Sequence, residues 1–197
     1  MKVKIITNSE LSKSKLATHG RQISDWHHSE WGKYHPTITP DEWFNDTLNF
    51  LTTGKTFFAF INNQLAGSVS IKMTNMENKF PNYAPWLSDL YVNPLFRNKK
   101  ISTVLIAKLI HAALIENYQK IYLFTHTLAL ENYYQNFGWN IISLEGEDKF
   151  YKDKPILLFC NETVNLYETI LNYIDKNNIS HNDTFNEFHI AEVIKTP

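Results

Sequence analysis

The chain has 197 residues, 43% of them apolar and 14% aromatic, which suits one globular domain with a filled core and an appendage. Its formal net charge of −1 gives no bulk attraction for nucleic acid or an anionic membrane, so neither is expected as a partner. A single cysteine, Cys160, excludes an intrachain disulfide or a thiolate zinc cluster and points to a reducing compartment.

The leading stretch MKVKIITNSELSKSK has an apolar run too short for a signal-peptide core, and no later segment approaches a membrane span of roughly 20 residues. A soluble, cytoplasmic protein is expected. Residues 2–7 form a short strand candidate. Asn8-Ser9-Glu10 can cap a helix from about Leu11 towards Trp31, and Pro36 interrupts the segment after it. Thr39-Pro40-Asp41-Glu42 is a second helix start, with Thr39 at the cap, Pro40 at the first helical position and Glu42 three residues after Thr39. That helix should reach about Leu51 and stop near Gly54.

Two β-rich runs then flank Asn62-Asn63-Gln64, which predicts an antiparallel hairpin. Residues 76–85, with Pro81 and Pro85, read as a loop. A strand over 86–92 leads into a helix over 101–117, where Ile101, Leu105, Leu109 and Ala112 fall at helical spacing. KIYLFTHT (120–127) is the next strand, LALENYYQNF a short helix closed by Gly138, and WNIISLE and FYKDKPILLFC two more strands. The order β-α-α-β-β-β-α-β-α-β-β contains a strand–helix–strand crossover at its centre, which demands parallel neighbours. Residues 1–160 are expected to form the domain, and residues 161–197 a C-terminal helical extension. Val164, Tyr167, Leu171 and Ile174 make an apolar stripe there, to pack on the domain or on another subunit in a homodimer.

Two segments, LSDLYVNPLFRNKKISTVLI and YLFTHTLALENYYQNFGW, carry the chemistry. In this order they resemble the GNAT superfamily of N-acetyltransferases, over roughly Lys2 to Cys160. The resemblance rests on a strand ending Asp-Leu-Tyr-Val, then Val-x-Pro-x-x-Arg opening a helix, then Tyr-x-x-x-Gly-Trp. It implies an α/β fold (mixed α+β) with a splayed sheet flanked by helices, and acetyl-CoA lying between the strands at 86–92 and 120–126. The coenzyme's pantetheine amides would pair with the free edge of the strand at Leu90, Tyr91 and Val92. Its pyrophosphate would meet backbone N–H groups of Arg97, Asn98, Lys99, Lys100, Ile101, Ser102 and Thr103 at the positive end of the helix.

Where the family's phosphate loop runs Arg/Gln-x-x-Gly-x-Gly/Ala, this chain has Lys100 and Ser102 at the two small positions. Main-chain donors survive that change if the backbone keeps its path, whereas the room that glycine gives does not. Lys100 either turns outward and adds charge near the phosphates or crowds the coenzyme. Many family members carry an Asn seven residues before the catalytic tyrosine; Thr127 stands there as the cofactor contact.

The resemblance makes Asp89 the candidate to accept or relay the amine's proton. Whether Ser88 or Asp89 faces the cleft depends on a bulge, and Asp89 alternatively holds a loop or orients substrate. Spacing to Gly138 matches Tyr134 to the family's tyrosine, and the resemblance implies that this phenol protonates the departing thiolate, mere packing being the alternative; Tyr133 is turned about 100° away as core. A main-chain N–H near Leu90 or Tyr91 would meet the thioester oxygen. Trp26, Glu30 and Trp31, at the end of the first helix, are candidates for seating a cationic acceptor by cation–π contact and charge, though the two tryptophans equally suit helix packing. His27, His28 and His35 lack carboxylate or cysteine partners at ligand spacing, so no metal is expected. The implied activity is acetyl-CoA-dependent acetylation of a primary amine, on a small molecule or a peptide N-terminus, by direct transfer in a ternary complex. The rival reading is a catalytically weak or inactive acyl-CoA-binding module on the same fold.

Overall fold

The computed structural model describes residues 3–74, 80–145 and 156–179. Strands β1 (Val3–Thr7), β2 (Lys55–Ile61), β3 (Gln64–Lys72), β4 (Trp86–Val92), β5 (Lys120–Thr125), β6 (Asn140–Glu145) and β7 (Ile156–Glu162) form one sheet, in the order β1-β2-β3-β4-β5-β7-β6. All neighbours are antiparallel except β4 and β5. The connection between that parallel pair is helix α3 (Ile101–Ile115), as a crossover requires.

Alternation along the strands sorts side chains onto two faces. Phe57, Ala59, Val69 and Ile71 face α3 and α5 (Thr163–Lys176). Phe58 and Leu65 face the other way, onto Leu16 and Ile23 of α1 (Lys13–Trp31) and Leu51 of α2 (Pro40–Thr53). The result is a sheet with helices on both sides. Helix α3 is apolar nearly all round because the sheet covers one side and α5 the other, with Leu105, Ile106, Leu109 and Ile110 fully buried.

Local signals set most of the elements. Thr39 and Glu42 form the reciprocal capping box, Glu42 N–H donating to Thr39 Oγ1 at 3.3 Å and Thr39 N–H to Glu42 Oε2 at 2.8 Å. Asn62 and Asn63 take φ of 49° and 63°, the conformation a two-residue hairpin turn needs. At the first helix the expected start moves. Asn8–Glu10 is a separate 3₁₀ turn, closed by Thr7 and Glu10, and α1 begins at Lys13 with Ser12 as its cap. Thr7 forms its own capping box with Glu10, which uses up the caps that the sequence had assigned to α1.

Helix α3 stops at Ile115, two residues short of the expectation, where Asn117 takes φ of 59°. The face of α5 is also rotated from the expected stripe. Leu166, Tyr167, Ile170 and Ile174 are buried, while Val164 and Leu171 are only partly covered. The rotation is fixed at the helix start, where Thr163 N–H donates to the Gln119 carbonyl at 2.9 Å and Thr163 Oγ1 to the Tyr118 carbonyl at 2.5 Å. Residues 150–155 of the last predicted strand and the chain beyond 179 lie outside the described residues. Among the described residues no helix is long and apolar enough to cross a membrane.

Candidate active site

Strands β4 and β5 pair at one position only, Trp86 with Tyr122, next to a bond from Tyr122 N–H to the Pro85 carbonyl at 2.9 Å. Beyond it they diverge. Between the pairs Ser70–Ser88 and Ser68–Tyr91, β4 advances three residues while β3 advances two. The extra residue is a bulge in β4, and Asp89 within it takes φ of 56°, a left-handed conformation that aspartate tolerates. A bulge bends its strand and increases its twist, which carries β4 away from β5. Gly67 makes the bulge possible from the other side, since a Cβ there would come within 2.6 Å of the Tyr91 carbonyl oxygen.

The divergence leaves a cavity of about 940 Å³. One wall is Ser88, Asp89, Leu90, Tyr91 and Val92; the opposite wall runs from Leu123 to Thr127 and includes Tyr133 and Tyr134. Arg97, Asn98, Lys100, Ile101, Ser102 and Thr103 close one end, and Glu30, Trp31, Tyr34, His35 and Trp43 the other. The cavity therefore brings together every candidate catalytic, coenzyme-binding and acceptor-binding residue of the sequence except Lys99 and Trp26. The ammonium of Lys99 lies 5.3 Å over the Phe96 ring, and Trp26 stacks on Tyr91 at 5.4 Å.

The loop into α3 contains no glycine and uses left-handed conformations at two other residues. Asn98 and Lys100 take φ of 62° and 59°, and Lys100 is the N-cap of α3. The first intrahelical bond is from Val104 N–H to the Lys100 carbonyl at 3.3 Å, so the N–H groups of Ile101, Ser102 and Thr103 have no partner within the helix. They lie where the cavity meets the positive end of the helix. Lys100 turns onto α5, its Nζ donating to the Tyr173 hydroxyl at 3.2 Å and lying 5.6 Å from that ring's centre. Arg97 Nε donates to the Val92 carbonyl at 3.0 Å, which ties the loop to the end of β4.

Asp89 is paired with Lys72, Nζ to Oδ2, at 2.7 Å. Burial pushes its pKa up, but the Lys72 ammonium and the neighbouring His27 outweigh burial and hold it below the usual carboxylate value. Asp89 is thus a charged carboxylate at neutral pH, suited to holding a cation. Tyr134 is 7% exposed, and burial raises its pKa, with Tyr133 adding to the rise. Its phenol stays protonated across the physiological range and can donate.

Tyr133, expected as core, packs on the core with its ring, but its hydroxyl donates to Ser102 Oγ at 2.7 Å, and burial pushes its pKa up to about 12. Lys72 and Tyr173 were not singled out in the sequence. No local pattern marks either, because each reaches its partner across the tertiary structure. Cys160 lies outside the cavity lining, and burial raises its pKa, which disfavours the thiolate a covalent relay would need.

Comparison with known proteins agrees with this geometry. The sequence model described as the Acetyltransferase (GNAT) family matches residues 20–139. No curated protein matches the chain significantly. Among solved structures, spermidine N-acetyltransferase from Vibrio cholerae superposes with a TM-score of 0.62 at 13% identity, covering 83% of this chain and 97% of that one. An N-acetyltransferase from Staphylococcus aureus Mu50 gives 0.60 at 13% identity, covering 82% and 98%. The aminoglycoside 6'-N-acetyltransferase from Enterococcus faecium gives 0.56 at 16%, covering 74% and 91%. At these identities the structural likeness is one of fold. The family match spans more than half the chain, and it falls on the elements that build the cleft: this protein belongs to the GNAT family of acetyltransferases.

Proposed function

We propose that the chain moves the acetyl group of acetyl-CoA to a primary amine by direct transfer in a ternary complex. The observation that carries this is the run of helix-start amides at Ile101, Ser102 and Thr103, left without intrahelical partners at the end of a long cleft. The residues fit the coenzyme. Asn98 and Lys100 supply the left-handed backbone of the loop without glycine, and the Lys100 ammonium is held by the Tyr173 hydroxyl at 3.2 Å on the cavity lining, which supports this reading. In its complex, the Vibrio cholerae spermidine N-acetyltransferase holds CoA on the same fold, which supports the assignment.

In this reading residues 1–160 carry the chemistry, and the extension from residue 161 supports it through Tyr173. The amides of residues 101–103 hold the pyrophosphate, with Lys100 adding positive charge at the rim. The exposed edge of β4 at Leu90–Val92 holds the amide arm. When bound, the coenzyme supplies an activated thioester carbonyl, and a main-chain N–H at Leu90 or Tyr91 polarises its oxygen. Asp89 attracts the acceptor ammonium and relays its proton through water, since its lowered pKa makes it a weak direct base. Tyr134 keeps its proton until the thiolate departs.

Two measurements on the full chain test this. Calorimetry with coenzyme A should register saturable binding. Turnover of acetyl-CoA with amines should fall about 100-fold in kcat for Tyr134→Phe, with KM for acetyl-CoA little changed. Binding with no turnover on any amine would support the non-catalytic rival; absence of heat would remove both.

A further inference from the structure

The start of α3 lines the main cleft with two polar side chains, Lys100 at the cap and Ser102 two residues on. Each is bonded to a tyrosine from outside the helix. Tyr133, in the short helix before Gly138, donates its hydroxyl to Ser102 Oγ at 2.7 Å, and Tyr173 of α5 accepts from Lys100 Nζ at 3.2 Å. Phe137 joins the two tyrosines, meeting the Tyr133 ring at 4.8 Å and 83° and the Tyr173 ring at 5.0 Å and 86°. Phe137 is 1% exposed and belongs to the core, so the row of three rings is anchored at its middle. Its two ends hold the two polar side chains of the helix start.

A serine hydroxyl carries one proton and two lone pairs. The Tyr133 phenol fills one lone pair and keeps its own proton, since burial pushes its pKa up to about 12. The Ser102 proton has no acceptor among the described residues. Within a helix a hydroxyl often turns back to the carbonyl four residues earlier, as Thr18 does to Ser14 at 3.0 Å and Thr169 to Asn165 at 2.8 Å. Ser102 has no such carbonyl. Four residues back the chain is at Asn98, outside the helix and with a left-handed φ of 62°. The Lys100 ammonium has three protons and gives one to Tyr173, which leaves two.

These remaining protons join the amides of Ile101, Ser102 and Thr103, which have no partner within the helix. What this end of the cavity has left to offer is therefore donors, beside the positive end of a helix and the charges of Lys100 and Arg97. The carboxylates in the cavity lining are elsewhere, Glu30 at the opposite end and Asp89 on the β4 wall. Such a set of donors is complementary to an anion with several oxygens, and the pyrophosphate of the coenzyme is one.

We propose that Tyr133 and Tyr173 are positioning residues for the coenzyme's pyrophosphate. Tyr133 fills a lone pair of Ser102 and Tyr173 takes one proton of Lys100, so that the remaining hydroxyl and ammonium protons add side-chain bonds to those of the helix-start amides. Tyr133 thus serves the nucleotide end of the coenzyme, while its neighbour Tyr134 serves the thiolate. The proposal rests on the acetyl-CoA reading but is read out by binding alone.

The test is calorimetry with coenzyme A on the full chain, arranged as two double-substitution cycles. Ser102→Ala should weaken binding about tenfold, the loss of one bond to a charged group, and Tyr133→Phe, which keeps the ring, several-fold. The two together should bind no worse than Ser102→Ala alone, because Tyr133 acts through Ser102. Tyr173→Phe should likewise weaken binding in the unsubstituted chain and change nothing in a Lys100→Ala background. A merely structural role would not produce that coupling. Losses that multiply in either cycle, or a tyrosine variant that binds like the unsubstituted chain, overturn the proposal and leave the coenzyme site standing. No heat with the unsubstituted chain removes the site and the role of the tyrosines with it. Coupled losses in a chain that acetylates no amine keep this proposal and remove the enzymatic reading.

Discussion

Lys100 occupies a backbone position that suits glycine. Its φ of 59° costs a residue with a Cβ about 1 kcal/mol, and the chain tolerates that cost beside Asn98, whose short amide accepts the same conformation more readily. What the lysine gains is an ammonium at the rim of the cleft, steadied by Tyr173. Lys100→Gly should therefore raise Tm by about 2–4 °C, as expected for some 1 kcal/mol in a domain of this size. It should also weaken coenzyme A binding several-fold at low salt and flatten its salt dependence. Thermal scans and titrations at two ionic strengths check both. A lower Tm would mean that the Tyr173 contact outweighs the strain. The sequence identified the substitution and its two outcomes; the choice between them needed Tyr173, which stands 73 residues further along the chain.

At the scale of elements, the bulge in β4 and the seating of α5 decide the site. Neither is a local event. The bulge depends on Gly67 in β3 allowing the Tyr91 carbonyl close, and α5 takes its rotation from Thr163 bonding the end of the loop after α3. Helix α5 packs on α3, the helix whose first turn forms the end of the cleft, and Ile170 is fully buried at that seam. Ile170→Ala should destabilise the protein by about 2–4 kcal/mol through the cavity left behind. The urea midpoint should fall with the slope unchanged if the whole chain unfolds as a unit. An added transition at low urea would instead show α5 leaving separately. Gly138, the glycine of the family signature, belongs to the same layer. Its φ of 94° and a virtual Cβ at 3.1 Å from Thr169 Oγ1 show that it serves both the turn after α4 (Glu131–Gln135) and the approach of α5.

For the whole molecule, buried neutral histidine makes stability depend on pH. The pKa of His27 is lowered from 6.5 to about 4 on folding, first by burial and then by Lys72, against an opposing pull from Asp89. Below pH 6.5 the unfolded chain gains a proton that the folded chain refuses until about pH 4. The stability contribution is therefore complete above 6.5 and is lost as pH falls towards 4, by about 3 kcal/mol. Asp89 acts in the same direction but lower, because its pKa is already below that of an ordinary carboxylate. Urea unfolding at pH 7.5 and pH 4.5 should show the loss, and His27→Phe should reduce the slope between them. An unchanged slope would show that His27 does not carry it.

The sequence by itself determined the order of the elements, the capping box at Thr39, the hairpin at Asn62-Asn63 and the two segments that meet at the cleft. Those features are written in neighbours a few residues apart, through helical and strand periods, caps and turn residues. The tertiary structure alone decided that β4 bulges at Asp89, that Lys72 pairs with it, that Tyr133 reaches Ser102, and that Lys100 turns onto Tyr173. It also placed His27 of α1 and Ser68 of β3 in the lining of one small cavity between α1, α2 and the sheet. Each of these joins residues distant in sequence. A periodic pattern shows which face of a strand or helix is apolar, but not the register or rotation at which that face meets its partner.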